Sequence, residues 1–277
     1  MTTVSATLRE AAHTLANLSD SPRLDAELLM ADALGVSRSD LLLWHMDAAP
    51  PSGFTDHLNR RREQEPVAYI IGEAEFFGRV FAVKPGVLIP RADSETLIEE
   101  ALERIIRGGS EARVLDMGTG SGALLLTLLA ERPLWSGIAI DASETALAVA
   151  RQNAASLDLE DRASVRAGDW TKAGWADDLG TFDLIVCNPP YVEEDAPLDR
   201  DVRDYEPASA LFSGPEGLDD YRVLIPQLRK LMNREGVAIL EIGATQADAV
   251  GQIAEKAGFR CSVRRDLANR PRVVSLS

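Results

Sequence analysis

Apolar residues recur at helical spacing at the start of the chain. Leu8, Ala12 and Leu15 fall on one face of a first predicted helix. The pair Ser21-Pro22 is typical of an N-cap residue and a first-turn proline, and it begins a second helix that Gly35 ends. The apolar residues at helical spacing within this second helix are Leu24, Leu28 and Ala31. The pattern predicts short helices that pack on one another.

The pattern changes at Pro66. A polar helix is predicted over residues 54–65, and after Pro66 glycines punctuate β-branched and aromatic residues. These strand-forming residues are Ile70, Ile71, Phe76, Phe77, Val80, Phe81 and Val83. We therefore predict an N-terminal helical domain over residues 1–70 and a β-hairpin linker over residues 71–90.

Helices and strands alternate over residues 91–277. Strands are predicted over residues 114–117, 138–140, 164–166, 184–187, 237–242, 261–264 and 272–276. Helices are predicted over residues 94–107, 123–130 and 143–156, with one that presents Leu218, Tyr221, Ile225 and Leu228 on one side and one that ends at Gly258. Such alternation specifies an α/β sandwich with a mostly parallel sheet.

Composition limits the class of protein. Hydrophobic residues make up 45% of the 277 residues, which is enough for a large domain and a smaller one. The net charge of −15 opposes a phosphate backbone, so we expect no direct nucleic-acid partner. No apolar stretch has the length of a membrane helix, and the first residues lack a signal-peptide pattern. We expect a cytoplasmic monomer without a membrane partner.

The cysteines and histidines indicate no metal site. Cys187 and Cys261 lie in apolar or strand-like runs that are typical of buried thiols in a reducing compartment. His13, His45 and His57 lack the spacing of zinc ligands, and we interpret them as surface residues of the helical region.

A glycine-rich turn follows the strand predicted over residues 114–117 and opens the next helix. It reads Gly118-Thr119-Gly120-Ser121-Gly122 after Asp116-Met117. Such glycines let the backbone approach a ligand where a Cβ would collide. The spacing differs from the dinucleotide fingerprint and from a phosphate loop. A tight turn without a ligand and a nicotinamide site remain alternatives for this turn alone.

Acidic and aromatic residues follow the next two strands. Asp141 ends the first of them, where its carboxylate is suited to accept hydrogen bonds from both hydroxyls of a ribose. Asp169 and Trp170 follow the second and suit the amino group and the ring face of an adenine. Ordinary core packing is an equal alternative for Trp170. With the glycine turn, these residues favour an adenosine-type ligand.

The tetrad Asn188-Pro189-Pro190-Tyr191 directly follows a buried-strand run. Open α/β sheets place their chemistry at the carboxyl ends of strands, and two prolines remove two N–H donors from this turn. A substrate NH2 group can donate to the Asn188 side-chain oxygen and to the Pro189 carbonyl, while Tyr191 packs on a planar substrate. The nitrogen lone pair is then aimed at a sulfonium methyl group. We therefore predict a catalytic tetrad, and a rigid loop is the alternative.

Further motifs carry a resemblance to a known family over nearly the whole chain. They lie at residues 75–78 (Glu-Phe-Phe-Gly), 87–91 (Val-Leu-Ile-Pro-Arg), 205–207 (Tyr-Glu-Pro), 217–222, 240–246 and 266–270. With the helical N-terminal domain, the glycine turn and the tetrad, the sequence resembles the glutamine-N5 methyltransferases that modify peptide chain release factors, the HemK or PrmC family.

The resemblance implies a Rossmann-like class I S-adenosylmethionine methyltransferase domain. The methyl acceptor would be the glutamine of a Gly-Gly-Gln loop in a release factor, and S-adenosylhomocysteine would be the product. Residues 118–122, Asp141, Trp170 and Asn188 would contact the cofactor, and residues 188–191 the glutamine. The family commonly has a proline where Ala92 stands, and we expect Asp93 to cap the next helix in spite of this change. We also expect the helical domain to dock the release factor.

Three other functions share part of this pattern. A glutamine methyltransferase that acts on a ribosomal protein would use the same tetrad and cofactor site. An adenine-N6 DNA methyltransferase shares the tetrad, but it would need a basic groove, which the acidic balance disfavours. A noncatalytic adenosine-binding module of the translation machinery would not need the complete tetrad.

Overall fold

The chain divides into two compact units. The computed structural model describes residues 2–105 and 111–277. The first unit comprises residues 1–73 and 198–205, and the second comprises residues 74–197 and 206–277. The sequence-based division at residues 70 and 90 does not include the distant stretch 198–205 in the helical domain. This stretch lies in the long loop after the tetrad, where no hydrophobic periodicity sets it apart.

Along the chain, the helices and strands are α1 (Val4–Leu15), α2 (Pro22–Leu34), α3 (Arg38–Asp40), a π-helical turn (Leu41–His45), α4 (Gly53–Arg62), α5 (Val67–Ile71), β1 (Glu73–Phe76), β2 (Arg79–Ala82), α6 (Glu95–Arg104), β3 (Arg113–Met117), α7 (Ala123–Glu131), β4 (Ser136–Asp141), α8 (Glu144–Ser156), β5 (Ala163–Ala167), β6 (Phe182–Cys187), α9 (Arg200–Tyr205), α10 (Asp219–Leu231), β7 (Met232–Glu241), α11 (Ala247–Lys256), β8 (Cys261–Arg265) and β9 (Pro271–Leu276). Residues 106 and 107 of the predicted helix 94–107 lie outside the described residues. Among the described residues, no helix is long and apolar enough to cross a membrane.

Helix α2 has the predicted ends, but its buried face is rotated away from Leu24. Pro22 begins the helix, and Gly35 ends it with a left-handed φ of 67°. Of the three apolar residues at helical spacing, Ala31 is buried and Leu28 is half-buried, whereas Leu24 is 41% exposed and its neighbour Asp25 is buried. Asp25 turns inward because it accepts a hydrogen bond from the buried Arg61 at 2.8 Å. An internal ion pair therefore sets the orientation of this helix.

Residues 70 and 71 belong to a helix, so their assignment to β structure was wrong. Pro66 has a φ of −56°, which suits the start of α5, and Gly72 ends the helix in a left-handed conformation. Ile70 packs into the core of the first unit. The two-stranded sheet is confined to β1 and β2.

The second unit contains a seven-stranded sheet in the order β5-β4-β3-β6-β7-β9-β8. Strands β5, β4, β3, β6 and β7 are parallel, and β9 is antiparallel to both of its neighbours. Apolar side chains leave the two faces alternately, so that Val114 and Leu115 belong to different core clusters. Helices α6 and α7 cover one face, and α10 and α11 cover the other. The predicted α/β architecture is confirmed.

Candidate active site

A cavity of about 360 Å³ lies in the second unit, at the carboxyl ends of the central strands. Met117 at the end of β3 pairs with Ile140 in β4 and with Cys187 in β6. Strand β3 is followed in the chain by β4 on one side of it, and β6 lies on its other side. The loops that follow β3 and β6 therefore run in opposite directions and leave a crevice between them. This topological switch point is where open α/β sheets bind ligands.

Most of the predicted site residues line this cavity. Those that do are Gly118, Thr119, Gly120, Ser121, Asp141, Asp169, Trp170, Asn188 and Pro190. The other three, Gly122, Pro189 and Tyr191, are not among the lining residues.

The glycines of the turn have different surroundings. Gly120 has a φ of 56°, and a Cβ added to it would meet no atom within 4 Å, so this position is open to the cavity. Gly122 has a φ of 85°, and its Cβ would lie 2.9 Å from Leu126 Cδ1. Gly122 therefore packs closely against the Leu126 side chain of α7, and its contact with a cofactor stays a prediction.

Asp116 is a fully buried carboxyl group directly beneath the glycine turn. The Thr119 hydroxyl donates to its Oδ2 at 2.6 Å, and the Leu125 backbone N–H donates to the same oxygen at 3.3 Å. Its Oδ1 is buried and has no hydrogen-bond partner among the described residues. Burial raises the pKa of Asp116 to about 7. A buried acid with one unsatisfied oxygen is unusual in a folded protein.

Asp141 holds the glycine turn through one carboxylate oxygen and the start of α8 through the other. Its Oδ2 accepts from the Gly120 N–H at 2.9 Å, and its Oδ1 accepts from the Ser143 N–H at 2.8 Å. Burial raises the pKa of this carboxyl group. Because each carboxylate oxygen has two acceptor sites, Asp141 keeps capacity for further donors at the cavity.

Asp169 and Trp170 line the cavity next to β5. Hydrogen bonds from Thr171 lower the pKa of Asp169. The Trp170 ring packs on the glycine turn, since a Cβ at Gly118 would lie 3.1 Å from its Cη2 atom. Trp170 also packs against the core. The two interpretations of Trp170, a cavity wall and a core side chain, therefore both describe it.

Asp220 is a cavity residue that the sequence analysis missed. It lies in the first turn of α10 and accepts a hydrogen bond from the Trp170 indole at 2.9 Å. It also accepts from the Ser213 hydroxyl at 2.7 Å. An acidic residue in a first helical turn is common, so the sequence offered no signal for this role.

Asn188 is joined to a buried carboxylate through one hydroxyl. Its Nδ2 donates to Ser94 Oγ at 3.3 Å, and Ser94 Oγ donates to Glu241 Oε2 at 2.5 Å. Ser94 lines the cavity beside Asn188. Glu241 is the last residue of β7 and is fully buried. Neither Ser94 nor Glu241 was predicted from the sequence to have a role in the site.

Tyr191 points its hydroxyl into the same buried network. The hydroxyl donates to Glu241 Oε1 at 3.1 Å, and burial raises the pKa of Tyr191. The Tyr191 N–H donates to the Leu211 carbonyl, and the Gln246 side chain donates to the Tyr191 carbonyl at 2.9 Å. These bonds fix the exit of the tetrad. Contact between Tyr191 and a planar substrate stays a prediction.

Asp93 does not cap α6, so the expectation for this residue was wrong. Its carboxylate pairs with Arg272 at 2.8 Å and with Arg270 at 3.5 Å. Helix α6 instead begins after a single 3₁₀ turn, without a side-chain cap from Ser94. The ion pairs withdraw the carboxylate from the helix and anchor the backbone beside Ser94.

Asn153 connects the hairpin to the glycine turn and was also missed. Its side chain accepts from the Ala82 N–H at 2.8 Å and donates to the Ala82 carbonyl at 3.0 Å. The same Nδ2 donates to the Ser121 carbonyl at 2.8 Å. An asparagine inside a helix carries no sequence signal for contacts with residues 71 and 32 positions away.

The chain is similar to known proteins along nearly its whole length. The family model described as "PrmC N-terminal domain" matches residues 6–72, and the one described as "Methyltransferase domain" matches residues 109–257. The release factor glutamine methyltransferase of Caulobacter vibrioides is 40% identical and covers 92% of this chain and 89% of its own length. That of Pseudomonas aeruginosa is 41% identical and covers 99% and 98%.

A solved structure shares the fold. The methyltransferase from Pyrococcus furiosus has a TM-score of 0.51 at 18% identity, and the match covers 80% of this chain and 98% of that one. The identity to the curated relatives extends through both units, and the resemblance seen in the sequence is confirmed. The chain belongs to the family of release factor glutamine methyltransferases.

Proposed function

We propose that this protein transfers a methyl group from S-adenosylmethionine to the side-chain amide nitrogen N5 of the glutamine in the Gly-Gly-Gln motif of peptide chain release factors. One observation carries the proposal. The carboxamide of Asn188 and the glycine turn line the same cavity, at the topological switch point of the sheet. A donor held by the turn and an amide held by Asn188 would therefore meet.

The residues of the cavity suit an adenosine-type cofactor. A volume of about 360 Å³ falls in the range of small-molecule sites. Gly120 leaves open the space that a side chain would fill. The Asp141 carboxylate offers acceptors for ribose hydroxyls, and the Trp170 ring offers an apolar wall for an adenine.

The tetrad suits an amide substrate. The Asn188 side-chain oxygen would accept one hydrogen of the glutamine NH2 group, and the Pro189 carbonyl would accept the other. Both hydrogens would then be held, which orients the nitrogen for attack and lowers the entropy cost of the reaction. Pro189 and Pro190 are buried, so the turn that presents these acceptors is rigid.

The chemistry needs no strong base before attack. When bound, S-adenosylmethionine supplies the methyl group and leaves as S-adenosylhomocysteine, with the electron pair of the broken carbon–sulfur bond on sulfur. The glutamine nitrogen becomes acidic only as it gains the methyl group, and Asn188 Oδ1 holds its hydrogen until the proton passes to water. A neutral acceptor is therefore sufficient at this position.

The helical first unit is suited to docking the release factor. Leu43 and Trp44 are 67% and 76% exposed on the π-helical turn of this unit. Large apolar side chains that neighbour one another on a surface are typical of protein interaction sites. Binding area away from the cavity would orient a short glutamine loop whose own contacts are few.

Methyl transfer from labelled S-adenosylmethionine tests this function. We expect label in an intact release factor and none in a variant whose Gly-Gly-Gln is changed to Gly-Gly-Ala. Ribosomal proteins and DNA are assayed in parallel with the same enzyme. Label in either of these, with none in the release factor, would refute the proposed substrate.

A further inference from the structure

Glu241 is a buried carboxylate whose two oxygens both accept hydrogen bonds from hydroxyl groups. Ser94 donates to Oε2, and Tyr191 donates to Oε1. Ser94 in turn accepts from the Asn188 side-chain NH2. The substrate-binding asparagine is therefore the outer member of a chain that runs from the cavity to a fully buried acid.

We propose that Glu241 is a positioning residue for methyl transfer, which acts through Ser94 to fix the orientation of the Asn188 carboxamide and to strengthen its oxygen as an acceptor. This inference rests on the proposed function, because it concerns how Asn188 holds the glutamine nitrogen.

The hydroxyl of Ser94 selects one orientation of the amide. A hydroxyl has one hydrogen, and in this structure Glu241 accepts it. Ser94 Oγ can then only accept from Asn188, so the NH2 group of the amide faces Ser94. A rotated amide would place two acceptors, Oδ1 and Oγ, against each other. The carboxamide oxygen is thereby left for the substrate.

The same chain polarises the amide. Consecutive hydrogen bonds that end on a carboxylate strengthen one another in a low-dielectric interior. Electron density shifts toward Asn188 Oδ1, which accepts a hydrogen of the reacting nitrogen. That nitrogen gains positive charge as it takes the methyl group, so the stronger acceptor stabilises the transition state more than the bound substrate.

Burial of this acid has an energetic cost that packing alone does not explain. Desolvation raises the pKa of Glu241, while the hydrogen bonds from Ser94 and Tyr191 and the charge of Arg272 oppose that shift. An apolar residue of similar volume would fill the space at lower cost. The retained carboxylate is best explained by the groups that it orients, and the nearest of these to the cavity is Ser94.

A double-mutant cycle between Ser94 and Glu241 tests the proposal in the full-length protein. Ser94→Ala and Glu241→Gln should each lower kcat with a release factor about ten-fold or more, the effect of one lost hydrogen bond to a charged group. Affinity for S-adenosylmethionine, measured by calorimetry, should stay within about three-fold, since this chain ends on Asn188 rather than on the glycine turn. Ser94→Thr keeps the hydroxyl and should restore kcat.

The double variant separates positioning from a structural effect. If Glu241 acts through Ser94, then Glu241→Gln causes little further loss in the Ser94→Ala background. Tyr221→Phe is the matched control, because the Tyr221 hydroxyl donates to the backbone carbonyl of Glu241 at 2.6 Å rather than to its carboxylate. We expect this control to lower stability and to leave kcat nearly unchanged.

Additive losses in the double variant, or full activity of Ser94→Ala, would overturn the inference. If Glu241→Gln does not fold, the comparison of Ser94→Ala with Ser94→Thr decides alone, and equal activities of these two refute it. A wild-type protein that methylates no release factor refutes the proposed function instead, and the two failures are thus distinguishable.

Discussion

At the scale of single residues, the Asn188 side chain has the most direct role in the proposed reaction. Asn188→Ala removes the oxygen that would accept a hydrogen of the reacting nitrogen. We expect kcat to fall about 100-fold, in the range seen when one transition-state hydrogen bond is removed. Affinity for S-adenosylmethionine should change much less, because the glycine turn and Asp141 remain. Steady-state kinetics and calorimetry measure the two effects.

The control for this variant is Asn59→Ala. Asn59 is an exposed asparagine on α4. The substrate is a short Gly-Gly-Gln peptide, so that the assay reports only on binding and reaction in the cavity. We expect no change in its kcat. Unchanged turnover of Asn188→Ala would contradict the role assigned to the tetrad.

Asp116 makes stability depend on pH. Its folded-state pKa of about 7 lies above the ordinary value of 3.8, so the folded protein holds a proton that the unfolded chain releases between these values. This stabilising contribution is complete below the lower value and is lost as pH rises through the higher one. Asp116→Asn removes the dependence, so its stability relative to wild type should rise across this window by about 1.4 kcal/mol per pH unit at most.

Urea unfolding of the ligand-free protein from about pH 5 to about pH 8 measures this difference. The gain of Asp116→Asn should level off above neutral pH. A difference that is constant over the whole range would show that Asp116 does not change its charge there.

At the scale of elements, the sequence predicts the sheet well, but it predicts the side-chain hydrogen bonds and ion pairs between elements poorly. Apolar runs such as residues 184–187 identify buried strands, and glycines identify the turns at their ends. The polar residues that link elements do not recur at a regular spacing, so no sequence pattern identifies them. Asp93 was expected to cap a helix, although Arg270 and Arg272 attract it from the other end of the chain. Glu241 ends an apolar strand, and nothing near it in sequence indicates Ser94.

The hydrogen bonds of the Asn153 side chain with the hairpin and the glycine turn lead to a prediction at this scale. Asn153→Ala removes the partner of three backbone groups, the buried carbonyl of Ser121 and the partly buried N–H and carbonyl of Ala82. We expect a loss of about 3 kcal/mol in the free energy of unfolding, at about 1 kcal/mol or more for each group. Affinity for S-adenosylmethionine should also fall, since Ser121 belongs to the glycine turn.

Urea unfolding and calorimetry check both effects of Asn153→Ala. Gln152→Ala, at the preceding exposed position of α8, is the control and should change neither quantity by much. A stable variant with normal cofactor affinity would show that the hairpin does not hold the turn.

At the scale of the whole molecule, the first unit includes a helix that is remote in sequence. Arg61 Nη1 lies 3.6 Å from Asp201 Oδ2 of α9, and the Tyr205 hydroxyl donates a hydrogen bond to the Glu63 carbonyl at 2.9 Å. Only the three-dimensional structure shows that α9 belongs to the first unit, because contacts between residues distant in the chain leave no local sequence pattern. Deletion of residues 1–73 would remove these partners of α9, so substitutions test the first unit more cleanly than truncation.

Replacing Leu43 and Trp44 together by alanine tests docking by this unit. We expect the KM for an intact release factor to rise about ten-fold, as for a truncated interface anchor. The KM for a Gly-Gly-Gln peptide should not change. Leu134→Ala is the control, since Leu134 is 61% exposed and directly precedes β4. It therefore lies at the amino ends of the parallel strands, whereas the cavity lies at their carboxyl ends. Equal effects on protein and peptide would refute docking through this surface.

The central claim is the transfer of one methyl group to one glutamine. Intact-protein and tryptic mass spectrometry of a release factor, incubated with this enzyme and S-adenosylmethionine, tests that claim most directly. We predict a gain of the mass of one methyl group, located on the glutamine of the Gly-Gly-Gln peptide and absent with Asn188→Ala. An unmodified glutamine after incubation with folded enzyme that binds S-adenosylmethionine would contradict the account.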